Sequence, residues 1–151
     1  MSTEKEQTIM KQTENIGRLI KIASNKLTTS LNYYGKQHDL TSTQMSIIDF
    51  IMRHSNEEIL QSDVEKEFNI KRSTTTNLLK RMESKGLLKK VNSTHDKRQK
   101  KIIIADKATN LSNHISQHLK GQEKLLTKDF DDEEIQLIIS FLKKIINKEA
   151  K

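Results

Sequence analysis

Short hydroxyl and amide side chains are concentrated between Arg72 and Asn77, where the chain reads RSTTTN. The three consecutive threonines are poor helix formers, because their branched side chains lose rotamer freedom against the preceding turn. Hydroxyl and amide groups near the start of a helix can donate to phosphates or reach base edges, and threonine methyls can contact thymine methyls. The same pattern is equally typical of a Ser/Thr-rich loop or an ordinary solvated face, so these residue types alone leave the choice open.

The distribution of charge decides between these interpretations. From Lys71 to Lys101 the chain has eleven basic and two acidic residues, a net charge of +9, whereas the whole chain carries +7 and the remainder therefore −2. The excess positive charge belongs to this one segment. A concentrated cationic surface can displace counterions from a polyanion such as nucleic acid, whereas a uniformly basic surface would indicate only solubility.

Two helices and two strands are predicted around this segment. The first helix starts at Ser62, whose spacing from Glu65 is typical of a capping box, and ends at Asn69. The second helix starts at residue 71 or 72 and runs to residue 85, where Gly86 is a favourable C-terminal cap. Strands are predicted at residues 87–91 and 101–105, on either side of a polar loop, with a short third strand at residues 58–60. This order of elements predicts a winged helix-turn-helix.

The second of these helices has two distinct faces. At about 100° per residue, Thr75, Leu78, Leu79 and Met82 fall on one side, which we expect to be buried. The other side is small, polar and basic, and we expect it to meet the partner.

The pattern RSTTTNLLKRMESKGLLKK and the later HDKRQKKIII resemble the DNA-binding region of the MarR family of bacterial transcriptional regulators. The family's wing signature is an Asp, one intervening residue and an Arg before an aliphatic strand, and here it is Asp96, Lys97 and Arg98 before Ile102–Ile104. The resemblance implies that Arg98 enters the minor groove, that Asp96 braces the loop, and that the second helix lies in the major groove. Members usually have a Thr and then a Gly after the wing; this chain has ADKA, and we expect Asp106 to be the substitute N-cap.

Individual contacts with double-stranded DNA can be assigned from these placements. Side chains on the outward face of the second helix are expected at base edges, where Asn77 can form a bidentate pair with adenine. Arg98 should favour a narrow, A·T-rich minor groove, and the other basic residues should mainly contact phosphates. The predicted DNA-binding residues are Arg72, Ser73, Thr74, Thr76, Asn77, Lys80, Arg81, Lys89, Lys90, Asp96, Lys97 and Arg98.

We expect a mainly α fold with a small antiparallel β wing, as a single domain over residues 1–151. Its DNA-binding lobe covers about 42–105, and its dimerisation helices cover about 8–36 and 106–149. Capping-box patterns at Thr41 with Gln44 and at Asp131 with Glu134 predict two of the helix starts. With 33% apolar and 31% charged residues, the chain has too little hydrophobic material to cover the apolar stripes of its terminal helices, so a homodimer is predicted.

We expect this dimer to be a repressor at an inverted-repeat operator, released or modulated by a small ligand. The resemblance places one wall of an effector pocket at Tyr33, Tyr34 and His38. The alternative for the two tyrosines is packing at the edge of the core, which we favour. Regulation would then change the distance between the two recognition helices.

A few residues of the chain also fit other classes of protein. His114 and His118 lie one helical turn apart and could begin a zinc site, but two ligands do not complete one, and His38 is the only candidate third. A metal-responsive regulator and a winged-helix protein-interaction module remain the alternatives, and neither a cofactor nor a metal is predicted. The absence of a Gly-rich phosphate loop and of cysteine argues against an enzyme. The N-terminus has no apolar signal core and no segment has the length of a membrane span, so we expect a cytoplasmic protein without membrane contact.

Overall fold

The computed structural model describes residues 3–6 and 14–149, and the chain forms two compact units, residues 1–45 and 46–151. The first unit contains helix α1, Ile16–Gly35, and a short 3-10 turn at Lys36–His38. Asn15 caps α1, because its side-chain oxygen accepts a hydrogen bond of 2.9 Å from the backbone N–H of Arg18. The sequence predicted that this helix begins at about residue 8; it begins at Ile16 instead, because Asn15 has an extended backbone and caps it there. Residues 7–13 lie outside the described residues.

The end of α1 is fixed by a close approach of the chain to Gly35. The backbone N–H of Leu40 donates to the Gly35 carbonyl at 2.9 Å, and a Cβ atom on Gly35 would collide with the Leu40 carbonyl oxygen. Helix α2, Ser42–Arg53, begins just beyond. Its predicted capping box is confirmed, since the Thr41 N–H donates to Gln44 Oε1 at 3.1 Å and the Gln44 N–H donates to Thr41 Oγ1 at 3.2 Å.

The second unit contains the rest of α2, the winged helix-turn-helix and two further helices. Two antiparallel strands form the wing and pair from Leu88 opposite Ile104 to Asn92 opposite Lys100. The prediction of a mainly helical fold with a small antiparallel wing is therefore confirmed. In chain order the elements are α3 Gln61–Phe68, α4 Arg72–Ser84, β1 Leu88–Asn92, β2 Lys100–Ile104, α5 Asp106–Thr127 and α6 Asp132–Ile146.

One face of α4 is buried, as its periodicity predicts. Thr75, Leu79 and Met82 are fully buried, and Leu78 is half-buried. The Thr75 hydroxyl satisfies its hydrogen-bonding requirement locally by donating to the Lys71 carbonyl at 2.9 Å. Other fully buried side chains of this unit are Ile47, Ile48, Val64, Leu87, Leu88 and Ile115.

Two predicted helix caps were wrong. The expected capping box of Ser62 with Glu65 does not form, because α3 starts at Gln61 and the Asp63 carboxylate instead accepts the Leu60 N–H at 2.8 Å. Asp106 is the first residue of α5 rather than its N-cap, which is Ala105 and has no side-chain cap. The predicted N-cap therefore lies two residues too late at α3 and one residue too late at α5. In both helices a carboxylate lies in the first turn, where the helix dipole favours negative charge.

Apart from these two caps, the boundaries of the elements after α1 are close to prediction. The third strand is reduced to one bridge between Leu60 and Lys101, beside a 2.8 Å hydrogen bond from the Ile102 N–H to the Ile59 carbonyl. Asn69 and Gly86 end α3 and α4 with φ of 49° and 74°. The capping box at the start of α6 is present in both directions. Of the helices in the described ranges, none has the length and apolar character needed to span a membrane.

Candidate nucleic-acid interface

The outward face of α4 carries the polar and basic residues that were predicted to meet DNA. Arg72, Ser73, Thr74, Thr76, Asn77, Lys80 and Arg81 are all exposed. In the part of the chain that the structure describes, the side chains of Ser73, Thr74 and Asn77 make no hydrogen bond within the protein. Their donors and acceptors are therefore directed to solvent and are available to a partner.

Thr76 differs from its neighbours on the same face. Its hydroxyl donates to the Arg72 carbonyl at 2.9 Å and accepts from the side-chain amide of Gln61 at 2.8 Å. The same Gln61 amide lies 3.4 Å from the Arg72 carbonyl. This polar link joins the first turn of α3 to the first turns of α4, and it leaves the Thr76 methyl as the free part of that side chain.

The tip of the wing is a hydrogen-bonded turn over residues 93–99. Asp96 Oδ1 accepts from the backbone N–H of Arg98 at 3.0 Å and lies 3.3 Å from its Nε. The Arg98 side chain is 91% exposed, so the guanidinium extends into solvent from a braced backbone. The Asp96 carboxylate thus occupies the bracing position that the family resemblance implied, while Lys97 beside it is exposed.

Glu58 ties the base of this turn to the body of the lobe. Its Oε1 accepts from the Thr94 N–H at 2.9 Å and the Thr94 hydroxyl at 3.3 Å, and its Oε2 accepts from the Ser93 hydroxyl at 2.9 Å. The backbone hydrogen bond from Thr94 is the main reason that the pKa of Glu58 lies below its ordinary value of 4.5. Sequence reasoning missed this residue, because the capping patterns and charge counts that it used are local and the partners of Glu58 lie far along the chain.

A cationic groove of about 460 Å³ lies where α3, α4 and the wing meet. It brings together four predicted DNA-binding residues, Arg72, Thr76, Lys90 and Arg98, and adds Lys100 from β2. Lys90 is half-buried there, whereas Lys89 is exposed, and neighbouring residues of a strand point to opposite faces. Of these two lysines, Lys90 lines the groove and Lys89 does not. Three other predicted DNA-binding residues also lie outside the lining, namely Lys80, Arg81 and Lys97.

The two histidines on α5 were considered as the possible start of a metal site. His114 is exposed and His118 is half-buried. Among the residues that the structure describes, no group of three or more His, Cys, Asp and Glu side chains is close enough to hold a metal ion. The structure thus offers the metal-responsive alternative no complete ligand set within those residues.

Known proteins share this arrangement. A model of the MarR family matches residues 38–99, which contain α2 to α4, β1 and the turn of the wing. The crystal structure of the transcription regulator MarR from Oenococcus oeni PSU-1 is 42% identical, and the similarity covers 89% of this chain and 100% of that chain, with a TM-score of 0.84. The chain belongs to the MarR family.

Two further proteins are similar to this chain. The HTH-type transcriptional regulator SarZ of Staphylococcus haemolyticus strain JCSC1435 is 28% identical over 131 residues, 85% of either protein. A complex of S. aureus MepR with DNA is 21% identical, covers 88% of this chain and 96% of that chain, and has a TM-score of 0.80, which shows a shared fold. As a MarR-family protein, the chain is a DNA-binding transcriptional regulator with a winged helix-turn-helix and is not an enzyme.

Proposed function

We propose that the chain acts in the cytoplasm as a homodimer that binds an inverted-repeat operator in double-stranded DNA and represses transcription until a small ligand weakens that binding. The observation that carries the proposal is the junction of α4 and the wing. There, exposed polar side chains that make no hydrogen bond to any other residue of the described ranges lie beside a groove lined by Arg72, Lys90, Arg98 and Lys100. Such a surface can read base edges and contact phosphates together.

The direction of each contact follows from its element. Helix α4 presents Ser73, Thr74 and Asn77 near its N-terminus, the part of a recognition helix that reaches base edges in the major groove. The exposed Arg98 side chain extends from the wing and fits the adjacent minor groove, where a narrow A·T-rich segment has the strongest negative potential. Lys80 and Arg81 lie one to two turns further along α4, where we assign them to phosphates.

The dimer is supported by apolar surface that a single chain leaves in water. On α6 most of the apolar side chains are exposed, and Leu137 alone has 72% of its surface accessible. A large apolar patch of this kind marks an interaction surface in a water-soluble chain. Helix α1, considered by itself, exposes Ile16, Leu19 and Ile22. The exposed apolar residues of α6 are Leu137, Ile138, Ile139, Phe141, Leu142, Ile145 and Ile146.

Ligand control is supported by a direct link between α5 and the recognition helix. The Lys107 ammonium on α5 donates to the Lys85 carbonyl at the end of α4 at 3.1 Å, and the Ala105 N–H donates to the Leu87 carbonyl at 2.9 Å. A ligand that binds one position of α5 better than another would therefore also change the position of α4. A screen of small organic ligands for release of a bound duplex tests this step, and no release by any of them would indicate a constitutive binder.

The DNA-binding step is tested by fluorescence anisotropy of labelled duplexes over a range of salt concentrations. Lys80→Ala should weaken binding to all duplexes alike and lower the slope of log affinity against log salt by about 0.9, the loss of one phosphate contact. The matched control is Lys120→Ala, which removes the same charge from an exposed position midway along α5 and should leave the slope unchanged. Equal slopes for both variants would contradict the assignment of α4 to the DNA surface.

A further inference from the structure

The exposed turn at the tip of the wing is stabilised by hydrogen bonds to one side-chain atom, Ser93 Oγ. Ser93 Oγ accepts hydrogen bonds from the backbone N–H groups of His95 and Asp96, both at 3.1 Å. The Ser93 N–H in turn donates to the Gln99 carbonyl at 3.1 Å, which closes the turn. The Ser93 hydroxyl is therefore the hub of this turn, and only 5% of the residue is exposed.

The proton of the Ser93 hydroxyl is directed by Glu58. A hydroxyl has one proton to donate, and here it goes to Glu58 Oε2 at 2.9 Å. With the proton fixed in that direction, the lone pairs of Ser93 Oγ face the two backbone N–H groups of the turn. The Asp96 residue that Ser93 holds is the same one whose carboxylate accepts the Arg98 N–H at 3.0 Å.

Glu58 is itself held in the body of the lobe. Its side chain is 15% exposed, and Lys101 Nζ on β2 and His95 Nε2 each lie 4.0 Å from it. The adjacent Ile59 carbonyl accepts the Ile102 N–H at 2.8 Å, which fixes this segment against β2. Glu58 therefore connects the body of the lobe, through the adjacent Ile59, to the turn of the wing, through Ser93 and Thr94.

We propose that Glu58 is a positioning residue for DNA binding: through the Ser93 hydroxyl it orders the Asp96 turn before DNA arrives and so presents Arg98 to the minor groove. The inference rests on the proposed function of Arg98. It goes beyond the wing signature, since Glu58 lies before α3 and contacts no residue of the Asp96–Arg98 triplet through its hydrogen bonds. An ordered turn spares the complex the entropy cost of fixing that backbone on binding.

A double-mutant cycle separates this role from general stabilisation. Glu58→Gln should weaken operator binding about tenfold. In this variant the turn would become ordered only on binding DNA, so the entropy cost of ordering about one residue would reduce the binding free energy. In the Arg98→Ala background the same change should alter affinity by less than about twofold, because the side chain that it positions is gone. Equal effects in both backgrounds would overturn the proposal.

The matched control is Glu57→Gln, which removes the same negative charge from the neighbouring, exposed residue. Loss of an acidic charge near DNA should by itself leave binding unchanged or slightly tighter, so only the change at Glu58 should weaken it. If Glu58→Gln lowers the melting temperature so far that the protein does not fold, Ser93→Ala is the second variant. It removes the hydroxyl that links Glu58 to the turn and keeps the contacts between Glu58 and Thr94. It should reproduce the weaker binding, and normal binding by Ser93→Ala would overturn the role of the hydroxyl.

Amide hydrogen exchange of the free protein gives an answer that does not depend on DNA. The backbone N–H groups of Thr94, Asp96 and Arg98 should exchange faster in Glu58→Gln and at the wild-type rate in Glu57→Gln. Unchanged exchange in Glu58→Gln would overturn the proposal even if wild-type protein binds its operator normally. A failure of the proposed function would give another result: the wild-type protein would bind no duplex at all.

Discussion

The side-chain amide nitrogen of Gln61 lies 2.8 Å from the hydroxyl oxygen of Thr76, and that hydroxyl donates onward to the Arg72 carbonyl at 2.9 Å. The polar group of Thr76 is therefore used inside the protein, although its position on α4 faces the proposed DNA surface. Asn77, the next residue, has a side chain with no internal hydrogen bond in the described structure. These two neighbours therefore have different roles. Thr76 joins α3 to α4, whereas the Asn77 side chain is available to bind a base.

Replacing Thr76 by Val tests this division. The change keeps the branched shape of the side chain but removes the hydrogen bond to Gln61, so it should lower the free energy of unfolding by about 1 kcal/mol. Operator affinity should stay within about threefold. Asn77→Ala should do the reverse, with an unchanged melting temperature and a loss of about 1–3 kcal/mol in binding at one base position. Binding losses from Thr76→Val as large as those from Asn77→Ala would contradict the assignment.

Arg98→Ala should reduce operator affinity and leave the dimer and its melting temperature nearly unchanged, because the side chain is 91% exposed. The loss should be greatest on duplexes with A·T pairs beneath the wing and smaller on G·C-rich ones, whose minor groove is wider and less negative. The measurement is anisotropy on two duplexes that differ only in those flanking pairs. An equal loss on both would leave Arg98 as a simple phosphate contact.

The apolar face of α6 can be tested by adding one charge to it. Leu142→Glu places a carboxylate in the exposed apolar stripe and should convert the dimer to monomer in sedimentation velocity, with loss of operator binding. Gln136→Glu adds the same charge to an exposed polar position of α6 and should leave the dimer intact. A Leu142→Glu protein that stays dimeric would show that α6 is not the interface.

Protonation of the Glu58 carboxylate at low pH should weaken its hydrogen bonds to Ser93 and Thr94 in the wing turn. Its pKa is lowered in the folded protein, chiefly by the Thr94 N–H, so the folded state favours the carboxylate. The resulting stability is present above the ordinary pKa of 4.5 and is lost as pH falls through the lower folded value.

The difference in melting temperature between wild type and Glu58→Gln is the measurement for this effect. It should shrink as pH falls below about 5, where both proteins come to carry a neutral group at this position. A difference that stays constant down to pH 3 would contradict the lowered pKa.

Local patterns account for the parts of this site that the sequence predicted. The faces of α4 follow from helical periodicity, and the left-handed caps at Asn69 and Gly86 follow from residue type, so both could be predicted without tertiary structure. Glu58 could not, because its partner Ser93 is 35 residues away and nothing in the sequence separates it from Glu57. The role of Thr76 was hidden for the same reason, since Gln61 reaches it from another helix.

Selection of bound sequences from random duplex DNA tests the central claim most directly, that two α4 helices are held at a spacing that suits B-form DNA. We expect an inverted repeat whose half-sites are centred about one helical turn, roughly 34 Å, apart, with A·T-rich flanks under the wings. Enrichment of a lone half-site, of single-stranded contaminants, or of no sequence at all would contradict it.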